Sequence, residues 1–281
     1  MLWKRAAIGV FVLTAIFCAF FSPCASQRSG GQTATQKVKS HGHDVTQVGC
    51  AIVLMYHRVD HVRPDAGALE GDPTVSPEDF ERQVKHLIQS GFRIVRLSEI
   101  EDAVINRRPF TGLKVAITLD DGYVDSYTKA FPILKRYNAP ATVFLVTGTV
   151  GTKGHLSWEQ IEEMGRFGIE FGSHGVHHLD LTRLRLTQLD LELRASKAQI
   201  EAKCGVEVTA LAYPAGEYNS FVIERVKSAG YKTAWRKSGG ALTPYDNPFA
   251  LPRLRVSGSD TLKSFAWKLS NAIAHAERKC R

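Results

Sequence analysis

Two adjacent carboxylates, Asp120 and Asp121, follow the apolar run Val115–Leu119 and precede Gly122. Neighbouring side chains at a strand end point in different directions, so one can face a cation while the other faces a water or a substrate. Asp-Gly is also an ordinary turn signal, and the motif alone decides nothing. Further on, His174 and His178 stand four residues apart. On one helical turn that spacing sets two imidazoles around one ion and leaves His177 pointing elsewhere. A histidine pair by itself is more often structural. Joined to a strand-end carboxylate it gives three protein ligands with positions left for water, the pattern of catalytic zinc sites. Two histidines and one carboxylate also fit a non-haem iron oxygenase, a reading that the paired aspartates disfavour.

The elements that must carry these residues alternate between strand and helix. Strand-length apolar runs are Ala51–Met55, Val115–Leu119, Ala141–Val146, Ile169–Gly172, Thr209–Tyr213, Tyr231–Trp235 and Leu251–Val256. Ser76 with Pro77 opens a helix that Gly91 closes, and a further helix runs to Tyr137 after the second strand. Ser157 with Gln160 forms a capping box for a helix ending at Gly168. Leu189, Leu193 and Ile200 mark a helix over Thr187–Lys203; others end at Gly230 and span Leu262–Ala276. This alternation predicts an α/β fold with parallel strands, a distorted (β/α) barrel of about seven strands. Asp120-Asp121, Ser173-His174 and Pro214-Ala215-Gly216 each follow a strand directly. In such barrels the C-terminal strand ends carry the chemistry.

Thr118-Leu119-Asp120-Asp121-Gly122 resembles the T-F-D-D-G motif of the polysaccharide deacetylases, carbohydrate esterase family 4. Ser173 to His178 resembles the family's H-[ST]-x-x-H motif, with Gly175 where Ser or Thr is usual. Tyr213 to Asn219 resembles its third motif, and Leu54–Val59 and Leu251–Val256 are similar to the branch acting on poly-β-1,6-N-acetylglucosamine. The resemblance covers about Ala51 to Phe265. It implies Asp120 as general base and Asp121, His174 and His178 as ligands of one divalent ion, Zn2+ first, with Co2+, Ni2+ or Fe2+ as alternatives. It also implies the backbone N–H of Ala215 as oxyanion donor. His57, Tyr213 and Pro214 fall to the substrate pocket. Two departures stand out. The arginine that pairs with the catalytic aspartate is missing from Leu211-Ala212-Tyr213, which leaves Arg253 or Arg255 to replace it. The late L-x-H histidine is also absent, since His275 falls on a helix surface. The general acid is therefore open, as is a carbohydrate-binding homologue without catalysis. The glycan is open among poly-N-acetylglucosamine, chitin fragments and peptidoglycan.

The ends of the chain add a compartment. Lys4 and Arg5 precede an apolar run, Ala6 to Phe21, in the layout of a secretory signal peptide. Pro23 weakens both a cleavage site after Ala25 and lipid attachment at Cys24, so an uncleaved anchor is the rival. Residues 1–25 are read as signal peptide or anchor, 26–48 as a flexible polar spacer and 49–281 as the catalytic domain. An exported protein, secreted, periplasmic or held at the envelope, is expected. It would touch membrane only through its N-terminus and act as a monomer on an N-acetylated glycan. Five cysteines without C-x-x-C spacing make no zinc ribbon and no disulfide framework. The net charge is +8, but no basic run alternates with aromatics as in a nucleic-acid groove. It reads as a basic solvated surface, or as attraction to an anionic envelope.

Overall fold

The computed structural model describes residues 49–62 and 73–280; the expectations for residues 1–25 and 26–48 lie outside them. In chain order come β1 (Ala51–Tyr56), β2 (Arg58–Val59), β3 (Thr74–Val75), α1 (Pro77–Gln89), β4 (Arg93–Ile94), α2 (Leu97–Ile105) and β5 (Lys114–Leu119). Then follow α3 (Phe131–Arg136), β6 (Thr142–Leu145), α4 (Trp158–Phe167), β7 (Glu170–Ser173), α5 (Leu186–Cys204) and β8 (Ala210–Ala212). The chain continues through α6 (Ser220–Ser228), β9 (Thr233–Trp235), β10 (Ala241–Leu242), β11 (Leu254–Arg255) and α7 (Leu262–Cys280).

The strands lie in the order β10-β1-β5-β6-β7-β8-β9, all parallel from β1 to β9, with β10 antiparallel. The segment 251–255 brings the two ends of the sheet round. Leu251 bridges Trp235 of β9, while Leu254 and Arg255 pair with Leu54 and Met55 of β1. The result is a distorted (β/α) barrel. Side chains alternate across each strand. Val53, Ala116, Phe144, Ala212 and Trp235 fill the inside; Ile52, Leu54, Ile117, Val143 and Leu145 face the helices. Both faces are buried, which explains why these strands read as continuous apolar runs.

Local signals set several boundaries. The Ser76 side chain accepts from the Asp79 N–H at the head of α1, and Ser157 with Gln160 forms the capping box of α4, which ends at Gly168 with φ 111°. The helix expected through Tyr137 is broken into a π-turn, Ser126–Ala130, and the short α3. Pro132 has no N–H for the regular ladder, and the wider turn accommodates it. Helix α2 was not expected. Only 9 residues long and without a side-chain cap, it gives a weak local signal. It packs Leu97, Ile100, Ala103 and Val104 into the inner cluster. Its buried Glu101 accepts from Thr209 and Thr233, at the N-terminal ends of β8 and β9, and from the Trp235 indole. A cavity of about 580 Å³ lies at that same end, among Arg96, Glu101, Glu170 and Thr209. The chemistry-bearing residues sit at the other end of the strands. Cys204 is a free thiol.

Candidate active site

Asp120 leaves β5 beside Tyr56, whose carbonyl accepts its N–H at 2.9 Å. Its carboxylate is 2% exposed and lies against Arg253, also buried. Two parallel bonds join them: Arg253 Nη1 donates to Oδ1 at 2.6 Å and Nη2 to Oδ2 at 2.8 Å. Arg253 Nη1 also reaches Thr118 Oγ1, and Nε donates to the Arg236 carbonyl. Such a fork fixes a carboxylate in place as well as in charge. Burial alone would raise the Asp120 carboxyl; the Arg253 guanidinium, helped by His174 and His57, outweighs it and holds the group at about 2. Arg255 lies exposed on β11 and does not enter the site.

Asp121 takes a left-handed backbone, φ 73°, and its carboxylate faces the two histidines. Its Oδ1 lies 3.6 Å from His174 Nε2 and 3.5 Å from His178 Nε2. One ligand atom from each of the three residues falls within 4.8 Å of the other two. Around a tetrahedral ion with bonds near 2.1 Å, ligand atoms stand about 3.4 Å apart, so this donor set fits a divalent cation. His174 Nδ1 donates to the Ala212 carbonyl at 2.7 Å, which leaves Nε2 with its lone pair. Burial lowers the His174 imidazole to about 4, and burial with the neighbouring Asp120 charge pushes the Asp121 carboxyl up to about 6.

The histidines meet by a route different from the one their spacing suggested. Residues 174–178 form no helical turn. Gly175 at φ 80° and His178 at φ 56° fold the loop, and the two rings come within 4.8 Å. His177 turns outward, 57% exposed, with Nδ1 on Glu192.

The remaining candidates separate. Ala215 is exposed at φ 57°, at the tip of the turn after β8. Tyr213 and Pro214 were expected in the pocket, but both side chains are buried. The Tyr213 hydroxyl donates to the Phe249 carbonyl and its ring stacks on Tyr218 at 5.0 Å, so it braces the turn. His57 follows β1, and its Nδ1 is buried with no hydrogen-bond partner among the described residues. It lies near both Asp120 and Asp121. Sequence reasoning missed the rim. Arg58 lies over the Tyr123 ring at 4.9 Å and donates to the buried Asp125 at 2.9 Å, and Tyr123 stacks on His155 at 5.2 Å. No local pattern marks these residues, because their partners come from distant loops.

Residues 107–234 match the polysaccharide deacetylase family model. The chain is 32% identical to YxkH of Bacillus subtilis, a polysaccharide deacetylase by name, over 73% of this chain and 71% of that one. It is 28% identical to a poly-β-1,6-N-acetyl-D-glucosamine N-deacetylase of Staphylococcus aureus, over 66% of this chain and 68% of the relative. Among solved structures, the deacetylase PplD of Streptococcus pyogenes, in complex with acetate, superposes with a TM-score of 0.72. That match has 26% identity and covers 78% of this chain and 98% of PplD.

Proposed function

The chain belongs to the polysaccharide deacetylase family, and from that premise we propose that it is an exported hydrolase that removes N-acetyl groups from a polymer of N-acetylglucosamine. The β-1,6-linked polymer is the first candidate, on the likeness to the Staphylococcus aureus enzyme. The observation that carries the reading is one buried carboxylate, forked to Arg253, beside a separate three-donor cluster.

Asp121, His174 and His178 would hold the divalent ion, with Zn2+ the first choice for two imidazoles and a carboxylate. When bound, such an ion lowers the pKa of water towards about 7 and polarises the acetyl carbonyl. The chain's own groups do the rest. Asp120, ionised and held by Arg253, takes the proton from the attacking water. The N–H of Ala215 hydrogen-bonds the oxygen that becomes negative as the carbonyl carbon turns tetrahedral. The C–N bond then breaks, acetate leaves, and the amine must gain a proton. His57 is the donor proposed here, since it follows β1 at the C-terminal end of the strands and lies near both aspartates.

The test is acetate release from β-1,6-poly-N-acetylglucosamine, chitin oligomers and peptidoglycan, before and after chelation and with Zn2+ restored. Release that chelation stops and Zn2+ restores supports the reading. A folded protein that releases no acetate from any of the three is a carbohydrate-binding relative without catalysis. Fractionation of the producing cells tests export; a cytoplasmic protein would remove it.

A further inference from the structure

The loop that carries both candidate histidine ligands has no regular structure, yet its backbone is tied on two sides. On one side, the Thr147 N–H donates to the Gly175 carbonyl at 3.1 Å and the Gly148 N–H to the Val176 carbonyl at 2.9 Å. On the other side stands α5. Its Ser196 hydroxyl meets Ser173 Oγ at 2.7 Å, and Ser173 Oγ accepts from the Gly175 N–H at 3.2 Å. One turn earlier on the same helix, Glu192 Oε2 accepts from two successive backbone N–H groups. These are Val176 at 2.7 Å and His177 at 2.9 Å.

Glu192 is an unusual occupant of that face. Leu189 and Leu193 around it are core residues, and Glu192 itself is 1% exposed. Among the described residues no lysine or arginine pairs with it; its side-chain partner is the largely exposed His177. A buried carboxylate without a firm cationic partner is costly and calls for a reason. The loop supplies one. His178 holds a positive φ that only an over-determined surrounding sustains, and it follows directly on the two N–H groups that Glu192 binds. Gly175 is the other half of the device. A Cβ there would lie 2.9 Å from Glu192 Oε2, on a backbone at φ 80°. The glycine that departs from the usual Ser or Thr is therefore what lets the carboxylate reach the loop.

We propose that Glu192 is a positioning residue that sets metal affinity, by clamping the Val176 and His177 backbone so that His174 and His178 are presented together. This rests on the three-donor cluster being a metal site. The chemistry makes the acceptor essential and the charge secondary. Glutamine in the same place keeps an oxygen for both N–H groups, whereas leucine fills the volume and accepts nothing.

The experiment titrates metal-free full-length protein in detergent with Co2+, following the visible absorption of the bound ion and competition with a chelator. Glu192→Leu should weaken Co2+ about 10–100-fold and alter the band, the usual range for losing a group that orients a ligand. Glu192→Gln should stay within about threefold of wild type and keep the band, since the acceptor is retained. Should the leucine variant not fold, Glu192→Asp, whose carboxylate is withdrawn by one methylene, is held to the leucine variant's thresholds. His177→Ala keeps the backbone contacts and should bind as wild type. Equal binding by wild type and the leucine variant overturns the proposal. So does a loss in His177→Ala matching that in Glu192→Leu, which would assign the effect to the imidazole. Wild type that binds no Co2+ removes the metal-site reading itself, and the clamp with it.

Discussion

Asp120 and Arg253 together define what the site can do. Asp120→Asn keeps the shape and one of the two Arg253 bonds but cannot take a proton. Co2+ binding should be unchanged while kcat falls at least about 100-fold, the usual worth of a general base. Near-normal turnover would remove Asp120 from that role. Arg253→Ala has two readouts. It leaves a buried carboxylate unpaired, which costs about 3–5 kcal/mol of stability. It also removes the main influence opposing burial, so the Asp120 carboxyl rises from about 2. The base works only when ionised, so the acid limb of kcat/KM should move to higher pH. An unmoved limb with a lowered melting temperature would leave Arg253 with a purely structural part. How legible these residues were depends on distance along the chain. The aspartate pair and the histidine pair each lie within a few residues, and their types alone suggested the chemistry. Arg253 could only be bracketed with Arg255. The two alternate along one segment, and burial inside the closing barrel separates them. Asp125 and Glu192 were invisible, because they reach backbone groups 66 and 16 residues away.

At the scale of elements, the strands that end in chemistry were readable because both of their faces are apolar. The helices were readable where a cap or a glycine stop marked them. Helix α2 and the two-residue strands β2, β3, β4 and β10 were not, since nothing local distinguishes so short a segment from a loop. Yet α2 matters to the frame. Glu101 gathers Thr209 and Thr233 at the N-terminal ends of β8 and β9, and the Trp235 indole, while the candidate site lies at the C-terminal ends. Glu101→Ala leaves those donors facing a gap and should cost on the order of 3 kcal/mol. Denaturant titration measures that loss, and kcat of the still-folded variant at low temperature should match wild type. A large fall in kcat at unchanged stability would mean that α2 couples to the site across the barrel.

At the scale of the whole chain, the segment read in the sequence as an export signal is expected to be separable from the barrel. Every strand that pairs with β1 lies after residue 92, and the core clusters begin at Cys50 and Ala51. Among the described residues, the sheet and the core are assembled from residue 50 onward. The apolar run Ala6–Phe21 is 16 residues long. As a helix it would reach about 24 Å at 1.5 Å per residue, short of the roughly 30 Å hydrocarbon core of a bilayer. That length suits a segment read by the export machinery better than a permanent span. A protein beginning at residue 26 should remain in solution without detergent. It should melt within about 2 °C of the full-length chain, because the described core begins at residue 50. It should release acetate at the same rate from a soluble oligomer. Aggregation of the shortened chain, or a markedly lower melting temperature, would show that the apolar run belongs to the fold.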